Sequence, residues 1–226
     1  MLNHKLGIAL VFLLLLVLAS SVGAYTGSLS SLDGGILGTG AWITSGTTFS
    51  WDVAFNSEHN WWDYSYHLIV PSGNISHLII DVSPDFQMSD ILSSNWPEDD
   101  TLVGNYNESN GNPSMPTPDN SNSSVPGTLH GVKFNEVSTT DLTVNFSSYR
   151  APVWGDFYAK DGNVGGTVNV AYNAGFADAD PIEPIRDGSV RNHILVPDTN
   201  VPEPAALTGL GFGLAGLLTS LRLRRK

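Results

Sequence analysis

Between Tyr25 and Val201 no long stretch keeps the 3.6-residue apolar spacing of an amphipathic helix, and this restricts the fold more than any other feature of the chain. In its place stand short runs rich in Val, Ile, Thr, Phe, Tyr and Trp, punctuated by Gly, Asn, Asp, Ser and Pro, which is the pattern of many short strands. Thr48 to Phe55 alternates strictly, so Phe49, Trp51, Val53 and Phe55 fall on one face of a half-buried strand. Tyr64 to Val70 and His77 to Val82 flank Pro71-Ser72-Gly73-Asn74, in which proline presets a bend and Gly or Asn accepts positive φ, so the pair reads as a β-hairpin. Gly127 to Phe134, Asp141 to Ser147, Trp154 to Lys160 and Gly166 to Tyr172 are further strands. About eight strands with frequent turns and no core helix predict an all-β fold, a single antiparallel β-sandwich over residues 25–197, with a jelly roll as the nearest alternative. Residues 105–126 are dominated by Asn, Ser, Pro, Gly, Asp and Thr and are expected to form a long exposed loop. Asp178 to Asp187, with Pro181 and Pro184, is expected to close the domain.

The two ends are of different composition. Residues 1–24 combine Lys5, an apolar run from Leu6 to Ala19 and the small-residue exit Val22-Gly23-Ala24. This is the plan of a signal peptide cleaved between Ala24 and Tyr25, and it implies the Sec translocon and signal peptidase as partners. An uncleaved anchor is the competing reading, although the run is shorter than the roughly 20 apolar residues a bilayer core needs. At the other end a linker and motif (198–204) lead into Ala205 to Leu221, which carries no charge, and then into the basic tail Arg222, Arg224, Arg225 and Lys226. Such a segment is at the lower limit for a transmembrane helix, and the basic tail would hold its end on the cytoplasmic side. Its four glycines are tolerated in a bilayer more readily than in an aqueous helix.

This C-terminal arrangement resembles the PEP-CTERM sorting signal, in which a Val-Pro-Glu-Pro motif, a Gly-rich apolar stretch and an arginine cluster follow in order. Here the motif is Val201, Pro202, Glu203 and Pro204. The resemblance covers about 25 residues and implies a Gram-negative-type bacterial protein that is held in the inner membrane as an intermediate and cleaved near the motif by an exosortase. It then implies a cell-surface or secreted matrix location in an exopolysaccharide, biofilm or floc context. The body is similar to a recurring type of such substrate through Trp62 to Tyr66, Asn74 to His77, Ala151 to Gly162 and Tyr172 to Phe176. That second resemblance implies a β-rich exported domain and assigns no functional residue.

Composition removes several classes of function. The chain has a net charge of −12, and five basic against 21 acidic residues lie between Tyr25 and Val201, so the body is repelled by nucleic acid. No cysteine is present, which excludes thiolate catalysis and Cys-ligated metal. No Gly-X-Ser-X-Gly, Walker loop or dinucleotide fingerprint occurs, so a non-enzymatic protein without a cofactor is expected. His59, His67 and His77 are the closest set of histidines, but they lack metal-ligand spacing. Asp52, Glu58, Asp63, Asp81, Asp85 and Asp156 are the acids at strand edges that a glycan-processing enzyme would draw on. Calcium is the ion best suited to loops of this composition, with Asp161, Asn163, Asp178 and Asp180 as candidate ligands and Asp85 to Asp90 a further place for it. Trp61, Trp62, Tyr64 and Tyr66 are candidate carbohydrate contacts, since flat aromatics stack on sugar rings. Alternation sends Trp62, Tyr64 and Tyr66 to one face and Trp61 to the other, and core packing is the ordinary use of such residues.

Overall fold

The computed structural model describes residues 23–108, 122–162 and 168–198. Most of the proposed signal peptide, Asn163, the sorting motif Val201 to Pro204, the apolar segment 205–221 and the basic tail lie outside these residues. Among the described residues no helix is long and apolar enough to cross a membrane.

In chain order the elements are β1 (Tyr25–Ser30), β2 (Ile36–Thr39), a single-turn helix α1 (Ala41–Thr44), β3 (Thr48–Asn56), β4 (Trp61–Ile69) and β5 (Ile75–Asp81). They continue with β6 (Ser93–Ser94), β7 (Thr101–Tyr106), β8 (Leu129–Phe134), β9 (Asp141–Ser148), β10 (Pro152–Gly155), β11 (Phe157–Asp161), β12 (Val170–Asn173) and β13 (Ile194–Pro197). Two short 3-10 turns, Met88–Asp90 and Glu98–Asp100, flank β6. The strands form a five-stranded sheet in the order β1-β3-β4-β9-β6, a six-stranded sheet in the order β2-β12-β11-β5-β8-β7, and a separate pair, β10-β13. Every pairing is antiparallel. The molecule is thus all-β and sandwich-like.

The large sheets share one apolar core. Phe49, Trp51 and Val53 of β3 and Tyr64, Tyr66 and Leu68 of β4 turn inward by simple alternation. They meet Leu78 and Ile80 of β5, Val132 and Phe134 of β8, and Phe157 and Ala159 of β11 in one contiguous cluster. Phe49 stacks on Phe157 at 4.0 Å between ring centroids, and Phe134 meets Phe146 at 6.0 Å. The β10-β13 pair adds Trp154, Ile194, Leu195 and Val196 to this cluster. Two buried tyrosines of β4 tie it in: the Tyr66 hydroxyl donates to the Leu195 carbonyl (2.9 Å), and that of Tyr64 donates to the Arg150 carbonyl (2.7 Å). Burial holds both phenols protonated, well above the ordinary tyrosine range.

Three sequence expectations are corrected. Residues 64–70 and 77–82 do not form a hairpin. β4 already has β3 on one edge, through the turn at Ser57 to Asn60, and β9 on the other. Pro71 to Asn74 therefore carries the chain across to the opposite sheet, an arch in which Gly73 takes φ 71°. The Trp42 indole N–H donates to the Ser72 carbonyl (2.7 Å) and clamps the arch. Trp154 to Lys160 is likewise two strands, β10 and β11, in different sheets, with the break at Asp156.

The third correction concerns residues 105–126. Asn105 and Tyr106 complete β7, Tyr106 is buried, and so are Asn122 and Val125. Tyr106 and Val125 pack with Ile79, Leu129, Tyr158, Val170 and Phe176 on the outer face of the six-stranded sheet. The Tyr158 hydroxyl donates to the Ser123 carbonyl (2.8 Å) to hold the returning end of the loop. Being covered on both sides, β5 and β11 show nearly continuous burial in place of alternation.

Candidate functional site

The break between β10 and β11 shapes the principal polar site. Asp156 leaves both strands and is buried, where its Oδ1 accepts a hydrogen bond from Asn173 Nδ2 (2.6 Å). Asn173 in turn accepts from the Phe157 backbone N–H (3.0 Å), so the amide is locked between the two. Asp81, the last residue of β5, donates its backbone N–H to the Asp156 carbonyl (2.9 Å). His193 arrives from a tight turn in which Val190 bridges His193 and both central residues, Arg191 (φ 49°) and Asn192 (φ 61°), are left-handed. Its imidazole is fully buried, with Nδ1 3.1 Å from Asp156 Oδ1 and 3.5 Å from Asp180 Oδ1. A cleft of about 730 Å³ opens beside this group, lined among others by Asp81, Asp156, Asp178, Asp180, Asp198 and His130.

Negative charge is concentrated here. Burial, then the carboxylates of Asp156 and Asp180, push the Asp81 carboxyl up to about 8. Burial and Asp156 also raise Asp180. For His193 burial opposes the charged form, but Asp156, Asp180 and Asp178 outweigh it and raise its affinity for a proton. Asp156, Asp180 and His193 bring one donor atom each to within 4.8 Å of one another, a set with the composition of a metal centre.

Of the four calcium candidates, the structure takes Asp178 and Asp180 to this cleft and leaves Asp161 elsewhere. Asp161 is buried beside the arch, where its Oδ2 accepts from Asn169 Nδ2 (2.6 Å). Among the six edge acids, only Asp81 and Asp156 meet in the cleft. Asp85 and Asp90 pair with the buried Arg150 guanidinium at 3.1 and 2.9 Å, which holds the Asp85 carboxyl below its usual range. The three histidines expected to lie closest are separated: His59 stacks on Trp61 at 4.3 Å, His67 Nε2 lies 2.6 Å from Asp141, and His77 is buried under the opposite sheet's outer cover. Burial, with Lys133 and Lys160 nearby, lowers the His77 pKa well below the ordinary histidine range. His193, which joins the site, carries no local spacing signal; only its position after a turn-forming Arg-Asn pair marks it.

The aromatic run divides by strand alternation. Tyr64 and Tyr66 belong to the core and are removed as sugar contacts, and Trp62 packs at the core edge against Phe55 (5.2 Å) and Tyr25 (6.4 Å). Trp61 faces outward between His59 and Tyr149, the latter edge-on at 6.5 Å and 61% exposed. Next to them, on the outer face of the five-stranded sheet, lies a shallow groove of about 280 Å³ lined by Asp52, Asp63, Asn95, Asn145 and Ser147. Asp63 is held there by Ser147 Oγ (2.6 Å) and Asn56 Nδ2 (3.0 Å), both donating to its carboxylate.

Comparison with known proteins returns no family model, no curated protein and no solved structure that matches this chain.

Proposed function

We propose that this chain is an exported, non-enzymatic surface or matrix protein, delivered through the Sec translocon, held by its C-terminal segment in the inner membrane and then processed by an exosortase. The reading rests on the sequence of the tail, in which Val201 to Pro204, the uncharged 205–221 and the basic cluster at 222–226 follow one another. It is supported by where the strands lie: among the described residues β1 begins at Tyr25 and β13 ends at Pro197, so cuts after Ala24 and near Pro202 would leave every described strand intact. Intact mass and cell fractionation, with and without the exosortase, test it. A product ending near Pro202 is expected only when the enzyme is present; an unchanged mass in the membrane of both strains would reduce the tail to a plain anchor.

A second reading, contact with extracellular polysaccharide, is favoured by the outward Trp61 and Tyr149 beside a groove lined in part by carboxylate, amide and hydroxyl groups. Sugars present both flat C–H faces and hydroxyls, and that surface offers partners for each. Replacing Trp61 and Tyr149 together by alanine is expected to weaken retention on the native exopolysaccharide about tenfold. Tyr149 is exposed and Trp61 half-buried outside the core, so the unfolding midpoint should fall less than for a core truncation. Equal retention of variant and parent would remove this surface from consideration.

A further inference from the structure

Two stretches that stand out in the sequence, Ala151 to Gly162 and Tyr172 to Phe176, meet at the break between β10 and β11. The first contributes Asp156, and the second contributes Asn173 and Gly175. His193 packs directly on Gly175, where a Cβ would sit 2.7 Å from Nε2 and 2.5 Å from the Arg191 carbonyl oxygen. Any larger residue would displace the imidazole. The ring is 0% exposed, yet neither nitrogen has a hydrogen-bond partner of acceptable geometry, although Nδ1 stands only 3.1 and 3.5 Å from oxygens of Asp156 and Asp180. A buried polar atom in that state ordinarily costs stability unless it has another partner.

We propose that Asp156, Asp180 and His193 bind a divalent cation of the zinc class. Bonds of about 2.0–2.2 Å from such an ion place its ligand atoms roughly 3.0–3.5 Å apart, and the imidazole nitrogen stands 3.1 and 3.5 Å from the two carboxylate oxygens. A doubly charged ion neutralises the two carboxylates and gives the Nδ1 lone pair its partner. A nitrogen ligand selects against calcium, which takes oxygen donors. The supporting contacts of a metal site are present as well: the Asn173 amide orients Asp156, and the Phe157 N–H orients Asn173. Three protein ligands leave a coordination position free, and the adjoining cleft, with Asp178 and Asp198 on its wall, is where water or an oxygen ligand enters. Asp180 is the accessible member, its side chain 55% exposed, so the ion arrives from the cleft side.

Untagged full-length protein in detergent, stripped of metals with a chelator, is titrated with zinc ion and, separately, with cobalt ion to read the visible absorption of the bound metal. One equivalent is expected to bind. Asp180→Asn, an exposed change that leaves the fold in place, should weaken zinc binding at least tenfold, and His193→Gln should alter or abolish the cobalt spectrum. Substoichiometric binding, or equal affinity of Asp180→Asn and the parent, would overturn the site. So would a rise in melting temperature with calcium and none with zinc.

Discussion

Replacing Phe157 by alanine is expected to remove about 3–5 kcal/mol from the unfolding free energy, read as a fall in the urea midpoint with little change in the denaturant slope. Phe157 opens β11, is fully buried, and lies face to face with Phe49 of the opposite sheet, with 10° between the ring planes. Truncation removes the transfer energy of the ring and leaves a cavity that both sheets must close. β5 and β12, paired on either side of β11, resist that movement. Part of the loss belongs to the ring pair itself, so combining Phe157→Ala with Phe49→Ala should cost less than the two single losses added together, the second truncation finding no stacking partner left. Leu32, 74% exposed, is the control, and its change to alanine should fall within about 0.5 kcal/mol of the parent. A loss below about 1 kcal/mol for Phe157→Ala would mean that the sheets do not share this core.

The second large effect is on the pH dependence of stability, measured with divalent ions chelated. The Asp81 carboxyl is pushed up to about 8 by burial and by the neighbouring Asp156 and Asp180, whereas in the unfolded chain it returns to about 4. The folded state therefore holds this proton more tightly. Its contribution favours folding in full below about pH 4 and is lost as pH rises through about 8, with a slope of about 1 kcal/mol per pH unit between those limits. His193 works in the same direction: its raised pKa means that its favourable term also declines as the solution becomes alkaline. Asp81→Asn cannot ionise, so it should flatten the alkaline decline and make the variant more stable than the parent at pH 8. Superimposable pH profiles for the two proteins would show that Asp81 does not titrate across this range.

Much of the strand content was readable because alternation is a local property. Phe49, Trp51 and Val53 point inward as their spacing requires, and Asp141 to Ser147 corresponds to β9 within one residue. Pro71 to Asn74 shows the limit of such reading. A bend of that composition serves a hairpin or a crossing between sheets equally well, and the choice depends on whether an edge of β4 is vacant. β3 and β9 fill both edges, and β9 lies about 80 residues further along the chain. The polar loop failed for a related reason: Tyr106 and Val125 are too few to signal a buried segment, yet each finds an apolar patch on the outer face of the six-stranded sheet.

The candidate sites divide in the same way. Trp61 and Trp62 were separable from alternation alone, but which face met solvent required the opposite sheet to be in place. Asp178 and Asp180 stand out in sequence as an acidic loop, while Asp156 falls within what reads as one continuous strand and His193 has no neighbours in sequence to suggest a role. The two ends, with their apolar runs, basic residues and Val-Pro-Glu-Pro motif, give an expectation of export and sorting from sequence alone, because such signals are linear. By itself the sequence determined an acidic, cysteine-free, all-β chain with inward and outward faces on strands such as β3 and β9, since side-chain period and charge are set residue by residue. Only the tertiary structure decided which strands share a sheet and that Asp156, Asp180 and His193 converge. Those outcomes arise from long-range pairing and burial, which no local pattern encodes.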